Sequence, residues 1–464
     1  MTITNPSTGG VIRTLNATST AEVEEAVRRA RQAQPNWAER PISERKAVIQ
    51  NFKERLIHRL DALALTLCTE TGKPISQARG EINATPGRID YFLDNVDRVS
   101  APRHVLMEPT HGRVVGTGDL EEIVSYDPLG VIANISAWNY PYFVGTNVFI
   151  PALLTGNSVV YKPSEYATLT GFAIRDMLRE SGVPEGVFEL VVGDGKAGQA
   201  LLNSDIDGVF FTGSYGTGVK IATAVAHRLI RTQLELGGKD PVYVADDVDP
   251  RTAAQNLVEG AFYNNGQSCC AVERIYVHHD IYRTFLSTFV EATRGLEMGP
   301  PDKEATFLGP LTRQAQIDVL NDQISDAVQK GATVLCGGEA ITGDGWYFSP
   351  TVLSNVNHTM KVMTEETFGP VIGIQSVTSD QEAAELMRDT PYGLTASVYS
   401  QDRHRAVSIL SQVPSGTSYW NCCDRVSPRL PWTGRGASGL GSTLSDEGIR
   451  AFLECRGWHL RAAK

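Results

Sequence analysis

Residues 131–161, VIANISAWNYPYFVGTNVFIPALLTGNSVVY, carry the pattern that decides the fold. A short apolar run opens this stretch at 131–135 and another closes it at 158–161, as expected for two buried strands. Further strands are predicted at 188–192 and 208–211, and helices at 167–181 and 196–203. Strands that alternate with helices predict a parallel, doubly wound sheet, and such sheets bind ligands at the carboxyl ends of their strands.

A second alternating pattern begins near Gly237 and predicts another α/β unit. Its strands are expected in the apolar runs at 242–244, 274–277 and 333–335. The stretch at 114–126 is rich in glycine and aspartate with alternating apolar residues, which indicates a hairpin leaving the first domain. A chain of 464 residues is long enough for two or three domains.

Two amphipathic helices are expected before the first sheet. Ser19 and Glu22 have the spacing of a capping box, and an apolar face follows them. The second helix begins near Ser43, and its apolar side chains continue at three- and four-residue steps to Leu63.

The composition is that of a globular protein with an acidic surface. The chain has 42 Lys and Arg against 53 Asp and Glu, a net charge of −11, and no basic run offsets it, which argues against nucleic acid as the main partner. Residues 1–30 lack the pattern of a secretory signal. The long apolar stretch at 140–161 is broken by proline and glycine, so no membrane span is predicted.

The cysteines and histidines favour a reducing compartment and no metal. Seven cysteines are scattered without the spacing of a disulfide framework, so a cytoplasmic location is expected. No set of Cys and His has metal-ligand spacing. The doublet His278-His279 is expected to be a solvated strand end.

Cys269 is the first candidate for chemistry, in the segment FYNNGQSCC at 262–270. A cysteine just after a glycine-containing turn can present its sulfur and its own backbone N–H to one small site. The thiolate is the reactive form, so such a residue needs a lowered pKa or a nearby base. The alternative is a small buried hydrophobe, a common role of cysteine.

Glu235 is the second candidate, in LELGGK at 234–239. It is expected at the end of a strand among apolar neighbours, where burial raises the pKa of a carboxyl and can tune it as a general base. The alternative is a half-buried strand residue at a domain junction.

Two further segments indicate a nucleotide. The segment FTGSYGTG at 211–218 joins a predicted strand to a helix, where glycines and the helix N-terminus suit a pyrophosphate, although the usual G-x-G-x-x-G order is absent. Asn139 and Lys162 each follow a predicted strand. The amide of Asn139 could donate a hydrogen bond to an oxyanion, and Lys162 and Glu165 could reach the hydroxyls of a ribose. The alternative is that these residues only form the turns around Pro141 and Pro163.

Together these segments resemble the aldehyde dehydrogenase superfamily in order, residues and spacing. The resemblance continues through segments at 365–370, 416–421, 431–432 and 438–439, and covers nearly the whole chain. One departure is Tyr215-Gly216 in the phosphate loop, where many relatives have Thr-Glu.

The resemblance implies a role for each matching residue. Cys269 is the nucleophile, its backbone N–H and the amide of Asn139 form the oxyanion hole, and Glu235 activates the deacylating water. The implied cofactor contacts are Trp138, Lys162, Ser164, Glu165, Gly213, Ser214, Gly237, Glu366 and Phe368. The implied lining of the aldehyde tunnel is Tyr140, Val144, Asn147, Ser268, Cys270, Cys423, Arg425, Val426 and Trp432.

The implied fold is a Rossmann-like cofactor-binding domain, an α/β catalytic domain and a small β oligomerisation arm. The expected ranges are 1–110 and 129–236 for the NAD-binding domain, 237–440 for the catalytic domain, and 111–128 and 441–464 for the arm and C-terminal segment. The arm implies a homodimer or homotetramer.

The resemblance implies oxidation of an aldehyde to a carboxylic acid without a metal. Because the carboxylate of Glu165 would repel a 2′-phosphate, NAD is expected over NADP, with NADP possible. The tunnel residues form neither an aromatic box for a quaternary ammonium nor an aliphatic tunnel, and Arg425 could pair with a carboxylate on the aldehyde or point to solvent. Two alternatives stay open: a coenzyme A-acylating semialdehyde dehydrogenase, against which Glu235 argues, and a non-catalytic binding relative.

Overall fold

The computed structural model describes residues 1–105 and 120–461. Within them the helices, numbered α1 to α15 in chain order, are Thr20–Ala38, Ile42–His58, Leu60–Thr71, Ile75–Ser100, Pro141–Leu154, Thr168–Glu180, Gly195–Asn203, Tyr215–Val225, Pro250–Phe262, His279–Arg294, Ala315–Gln329, Lys361–Thr364, Asp380–Arg388, Arg403–Leu410 and Ser445–Arg450. The strands, numbered β1 to β20, are Thr2–Thr4, Val11–Thr14, Arg103–Val105, Leu120–Pro128, Val131–Ile135, Ser158–Lys162, Phe188–Leu190, Gly208–Thr212, Arg231–Glu235, Pro241–Val244, Arg274–His278, Thr333–Cys336, Thr351–Ser354, Val371–Val377, Tyr392–Gly393, Thr395–Tyr399, Thr417–Trp420, Arg435–Gly436, Gly439–Leu440 and Leu453–Arg461.

The first sheet confirms the predicted parallel, doubly wound arrangement. Its six strands lie in the order β19-β9-β8-β5-β6-β7, and the five strands from β9 to β7 are mutually parallel. The carboxyl ends of β5, β6, β8 and β9 therefore meet at one edge. Helices α2 to α6 cover one face and bury a large apolar core that includes Phe52, Phe149 and Phe188.

The second sheet holds the later α/β unit. Its seven strands lie in the order β12-β13-β14-β11-β10-β16-β17, parallel except where β12 meets β13. A third sheet, β20-β4-β3, is antiparallel throughout. Residues 120–126 of the predicted hairpin lie in β4, and residues 114–119 lie outside the described part of the chain.

The short strand β19 connects the two halves. It lies within the range expected for the catalytic domain, yet it pairs antiparallel with β9 of the first sheet, opposite Glu235. The late segment therefore returns to the edge of the first sheet. The expected domain boundaries stay a prediction.

Three predictions about single helices and strands can be compared with the structure, and one of them is fully confirmed. The capping box of Ser19 and Glu22 is present at the start of α1. The second helix is in fact two, because the chain turns at Arg59 between α2 and α3 while Leu56 and Leu63 both stay in the core. Strand β7 ends at Leu190, short of the predicted Val192, because Val192 exchanges hydrogen bonds with Thr18 instead.

Two further expectations concern the histidine doublet and membrane crossing. His278 is buried at the end of β11, which corrects the expected solvated position, whereas His279 is exposed at the start of α10. Within residues 1–105 and 120–461, every helix is too short or too polar to cross a bilayer.

Candidate active site

The loop before Cys269 has an unusual backbone. Asn264, Asn265 and Gly266 follow one another in the left-handed region, at φ values of 53°, 57° and 68°. Asparagine tolerates this region better than most residues, and glycine carries no penalty there. At Gly266 a Cβ would also lie 2.5 Å from the carbonyl oxygen of Gly369. This sequence is therefore suited to a tight turn that ends at the cysteine.

Asn139 lies beside this loop. Its Nδ2 donates to the carbonyl of Gln267 over 3.1 Å, and Nδ2 of Asn264 donates to the same carbonyl over 3.1 Å and to the carbonyl of Asn139 over 3.4 Å. The segment after β5 is thus joined to the residue two positions before Cys269. The structure brings these two predicted catalytic residues into one neighbourhood.

Glu235 is the last residue of β9 and is buried. Its carboxylate accepts a hydrogen bond from the hydroxyl of Thr443, and its backbone carbonyl accepts one from the N–H of Gly213 over 3.0 Å. Burial raises the pKa of Glu235 to about 7, although the hydrogen bond from Thr443 and the charge of Arg88 act in the opposite direction. A carboxyl group with this pKa can take up a proton near neutral pH.

The two adjacent cysteines differ in their surroundings. Cys270 is buried, and its thiol donates to Oδ1 of Asp424 over 2.9 Å. Its hydrogen bond with Cys269 and its burial raise the pKa of Cys270 well above the usual range. Cys269 is partly exposed. The first cysteine of the pair is therefore the more accessible one, while the second stays a thiol.

Glu366 lies against the turn that follows β9. A Cβ at Gly237 would fall 2.2 Å from its carboxylate, and the N–H of Gly238 donates to it over 3.2 Å. Burial raises the pKa of Glu366 to about 7. Two residues on, the ring of Phe368 packs edge-on against that of Trp138, with centroids 5.5 Å apart. These four predicted cofactor residues share one site.

A buried ion pair holds this segment, and sequence reasoning missed it. Nζ of Lys239 lies 2.7 Å from Glu273 and 2.8 Å from the hydroxyl of Thr367. Glu273 also accepts hydrogen bonds from the backbone N–H groups of Thr367 and Phe368, over 2.8 and 2.9 Å. The residues that follow Glu366 are thereby held by Lys239 and Glu273, which lie just before β10 and β11 of the second sheet.

The predicted adenosine contacts follow β6 and β8. Lys162 is buried at the end of β6, and burial lowers its pKa while the charges of Glu165 and Asp194 oppose that change. The hydroxyl of Ser164 donates to Glu165 over 3.3 Å. Glu165 lines a cleft of about 350 Å³ together with Tyr166 and Asp194.

Ser214 is exposed at the N-cap of α8 and makes no side-chain cap for that helix. Its hydroxyl donates to Thr217 over 3.0 Å instead. The N–H groups of Tyr215 and Gly216, at the first turn of α8, accordingly remain available to an anion.

The predicted tunnel residues fall into two groups. Tyr140, Val144 and Asn147 lie three and four positions apart at the start of α5, and Val426, Trp432, Cys269 and Cys270 contribute to one apolar cluster. Ser268 lies 3.5 Å from the sulfur of Cys270. By contrast, the sulfur of Cys423 packs on Gly260 and Tyr399 of the second unit, and Arg425 is exposed.

Arg88 is a further residue of this region that the sequence analysis did not single out. It is buried on α4, and its guanidinium lies over the ring of Phe143, with Cζ 3.9 Å from the centroid. Its Nη1 donates to Oδ1 of Asn147 over 3.1 Å. The position would have been visible as a charged residue between the apolar positions Ile82 and Ile89 of an amphipathic helix.

Comparison with known proteins shows the family of the chain. The model of the aldehyde dehydrogenase family matches residues 1–457. A chloroplastic betaine aldehyde dehydrogenase from Amaranthus hypochondriacus is 34% identical over 463 residues, which cover 98% of this chain and 91% of the relative.

Solved structures resemble the whole chain. Lactaldehyde dehydrogenase from Escherichia coli superposes with a TM-score of 0.95 at 31% identity, covering 100% of this chain and 96% of the other. A betaine aldehyde dehydrogenase variant from Staphylococcus aureus, solved with NAD+, superposes with a TM-score of 0.94 at 28% identity. The match covers 99% of this chain and 94% of the other.

The fold and the family match define an NAD(P)-dependent oxidoreductase. More specifically, the chain belongs to the aldehyde dehydrogenase family, and it is an enzyme that oxidises an aldehyde to a carboxylic acid. The resemblance seen in the sequence is confirmed.

Proposed function

We propose that Cys269 is the nucleophile of this aldehyde dehydrogenase. Its thiolate attacks the carbonyl carbon, forming a carbon–sulfur bond and an oxyanion. The partial exposure of Cys269, against the burial and raised pKa of Cys270, supports this choice between the two thiols.

The oxyanion is held by the side-chain amide of Asn139 and the backbone N–H of Cys269. The hydrogen bond from Asn139 to Gln267 occupies one amide hydrogen and orients the other. Donors fixed before the reaction stabilise the charge as it develops, and the loss of one such donor typically costs about 2.7–4 kcal/mol.

Glu235 acts after the oxidation. When bound, NAD accepts the hydride that leaves the substrate carbon, and a thioester remains on Cys269. Glu235 then removes a proton from the water that attacks this thioester, which releases the acid and restores the thiol. The single observation that carries the proposal is this buried carboxylate, with a pKa of about 7, at the same sheet edge as Asn139.

The residues present fit a dinucleotide. The first turn of α8 has backbone N–H groups without a side-chain cap, which suits a pyrophosphate, and Glu165 can accept hydrogen bonds from ribose hydroxyls. Gly237 has no side chain that would displace Glu366, so this carboxylate can face the nicotinamide ribose. The carboxylate of Glu165 favours NAD over NADP.

Cofactor reduction, followed with an aldehyde and NAD, tests this function. The wild-type enzyme is expected to form reduced cofactor and the free acid, and Cys269→Ala is expected to form neither. Added coenzyme A should leave the product unchanged. Acyl-CoA as the main product would support the acylating alternative, and turnover by Cys269→Ala would contradict the proposed nucleophile.

We also propose a homodimer or homotetramer in the cytoplasm. Strand β20 lies at the edge of the third sheet and exposes Trp458 and Leu460, so another copy can pair with it. All seven cysteines lie in the described part of the chain and none forms a disulfide there, which suits a reducing compartment.

A further inference from the structure

Arg88 is a buried cation without an ionic partner. Its side chain is 7% exposed, and among residues 1–105 and 120–461 no carboxylate lies within 4.0 Å of it. A guanidinium has five N–H donors. Within the described residues, Arg88 donates a single hydrogen bond, from Nη1 to Asn147. A buried charge in this state costs free energy unless something else compensates it.

The two carboxyl groups whose charges act on Arg88, Glu81 and Glu235, already have hydrogen-bond partners. Glu81 pairs with Lys73 and accepts a hydrogen bond from the N–H of Tyr142 over 2.9 Å. The carboxylate of Glu235 accepts a hydrogen bond from the hydroxyl of Thr443. Neither carboxylate lies within 4.0 Å of the guanidinium of Arg88, so neither forms an ion pair with it.

Arg88 packs on α5, close enough to Glu235 for the two charges to interact. Phe143 and Asn147, which it contacts, lie one turn apart on α5, and Asn147 is a predicted tunnel residue. The unbonded nitrogens of Arg88 are not among the sealed polar atoms of the core, so each keeps some surface that water can contact. Burial lowers the pKa of Arg88 to about 10, opposed by the charges of Glu81 and Glu235, so the group stays protonated at neutral pH.

We propose that Arg88 determines specificity by binding the carboxylate of an aldehyde that carries one, while Cys269 attacks its other end. A guanidinium offers paired donors that match a carboxylate, and the pair would compensate the buried charge. This inference rests on the proposed function of Cys269. It names a different residue from Arg425, whose exposed guanidinium has solvent as an alternative partner.

The same charge acts against cationic aldehydes. Betaine aldehyde carries a quaternary ammonium group, and a fixed guanidinium beside the tunnel repels it. Although the chain is similar to betaine aldehyde dehydrogenases, this residue opposes that substrate.

Three aldehydes test the proposal: succinate semialdehyde, butanal and betaine aldehyde. In the wild-type enzyme kcat/KM should be highest for succinate semialdehyde and lowest for betaine aldehyde. Arg88→Gln should lower the ratio of succinate semialdehyde to butanal by about 10- to 100-fold and raise the ratio of betaine aldehyde to butanal. Arg88→Lys should restore part of the first ratio. Arg429→Gln, which removes an exposed guanidinium, is the matched control and should change neither ratio.

A binding measurement accompanies the kinetics. Succinate should raise the Tm of the wild-type enzyme and leave that of Arg88→Gln unchanged. Equal losses on all three aldehydes in Arg88→Gln, or the same succinate effect in both proteins, would overturn the proposal. A wild-type enzyme that oxidises none of the three, or works without Cys269, would instead count against the proposed function.

Discussion

The hydroxyl of Thr443 donates a hydrogen bond to Oε1 of Glu235, a residue 208 positions earlier in the chain. The contact exists because β19 returns to pair with β9 and because Thr443 exchanges backbone hydrogen bonds with Trp432. The proposed general base and the wall of the proposed tunnel are therefore connected through one threonine.

Steady-state turnover should rise with pH through about 7 where deacylation limits the rate. The folded protein raises the pKa of Glu235 to about 7, and only its unprotonated form accepts a proton from water. The hydrogen bond from Thr443 lowers this pKa, so Thr443→Val should move the midpoint of the rise to higher pH. A pH profile of kcat measures this midpoint in both proteins.

Thr443→Ser keeps the hydroxyl and is the control for that profile. Its midpoint should stay with the wild-type value. A midpoint that is unchanged or lower in a folded Thr443→Val enzyme would contradict the assignment of this titration to Glu235.

Cofactor preference should depend on Glu165. The wild-type enzyme is expected to have a kcat/KM for NAD at least about tenfold above that for NADP, because like charges at a contact are costly. Glu165→Gln should reduce the ratio of kcat/KM for NAD to kcat/KM for NADP. Glu185→Gln, a change at an exposed glutamate, should leave this ratio unchanged. Measured kcat/KM values for both dinucleotides decide it, and a wild-type preference for NADP would refute the role of Glu165.

The ion pair of Lys239 and Glu273 should support both stability and cofactor binding. Glu273→Gln leaves the buried ammonium without its carboxylate and should lower the free energy of unfolding by about 3–5 kcal/mol. It should also raise the KM for NAD, since the segment around Glu366 loses its support. Denaturant unfolding and cofactor titration measure the two effects.

Glu304→Gln removes an exposed partner of Arg79 and serves as the control for that pair. Exposed ion pairs contribute about 0–1 kcal/mol, so little change is expected. Equal stability of the Glu273→Gln and Glu304→Gln proteins would show that the buried pair does not hold the segment.

The strands of the first sheet could be predicted because each is an apolar run bounded by turn residues. The run at 131–135 coincides with β5, and the predicted helix at 196–203 differs from α7 by one residue. The break at Arg59 could not be predicted, since the apolar spacing continues through it from Leu56 to Leu63. Periodicity reports which side chains face the core and not whether the helix axis is continuous.

The candidate site was predictable where function depends on a local motif. Cys269, Glu235 and Asn139 stand in such segments, and the resemblance assigned their roles. Arg88 and Glu273 stand in no motif, and their partners lie far away in sequence: Asn147 is 59 residues from Arg88, and Thr367 is 94 residues from Glu273. Only the packing of separate elements brings such pairs together.

The division of labour between Cys269 and Glu235 gives the last prediction. Acylation needs the thiolate and the oxyanion hole, whereas deacylation needs a base that deprotonates water. Cys269→Ala should therefore abolish both the first turnover of reduced cofactor and the steady state. Glu235→Gln should keep much of the initial burst, slow the steady state by about 100-fold or more, and accumulate an acyl group on the protein.

Rapid-mixing measurement of the burst and mass spectrometry of the quenched protein separate these outcomes. The adduct should map to Cys269, because the thiol of Cys270 is buried and bonded to Asp424. Cys270→Ala is the matched control and should keep an adduct on Cys269. A smaller burst in Glu235→Gln fits a second role of this carboxylate in deprotonating the thiol. An adduct on Cys270, or a steady state in Glu235→Gln as fast as that of the wild type, would refute the assignment, since the chemistry would then proceed without the buried carboxylate that β9 presents to it.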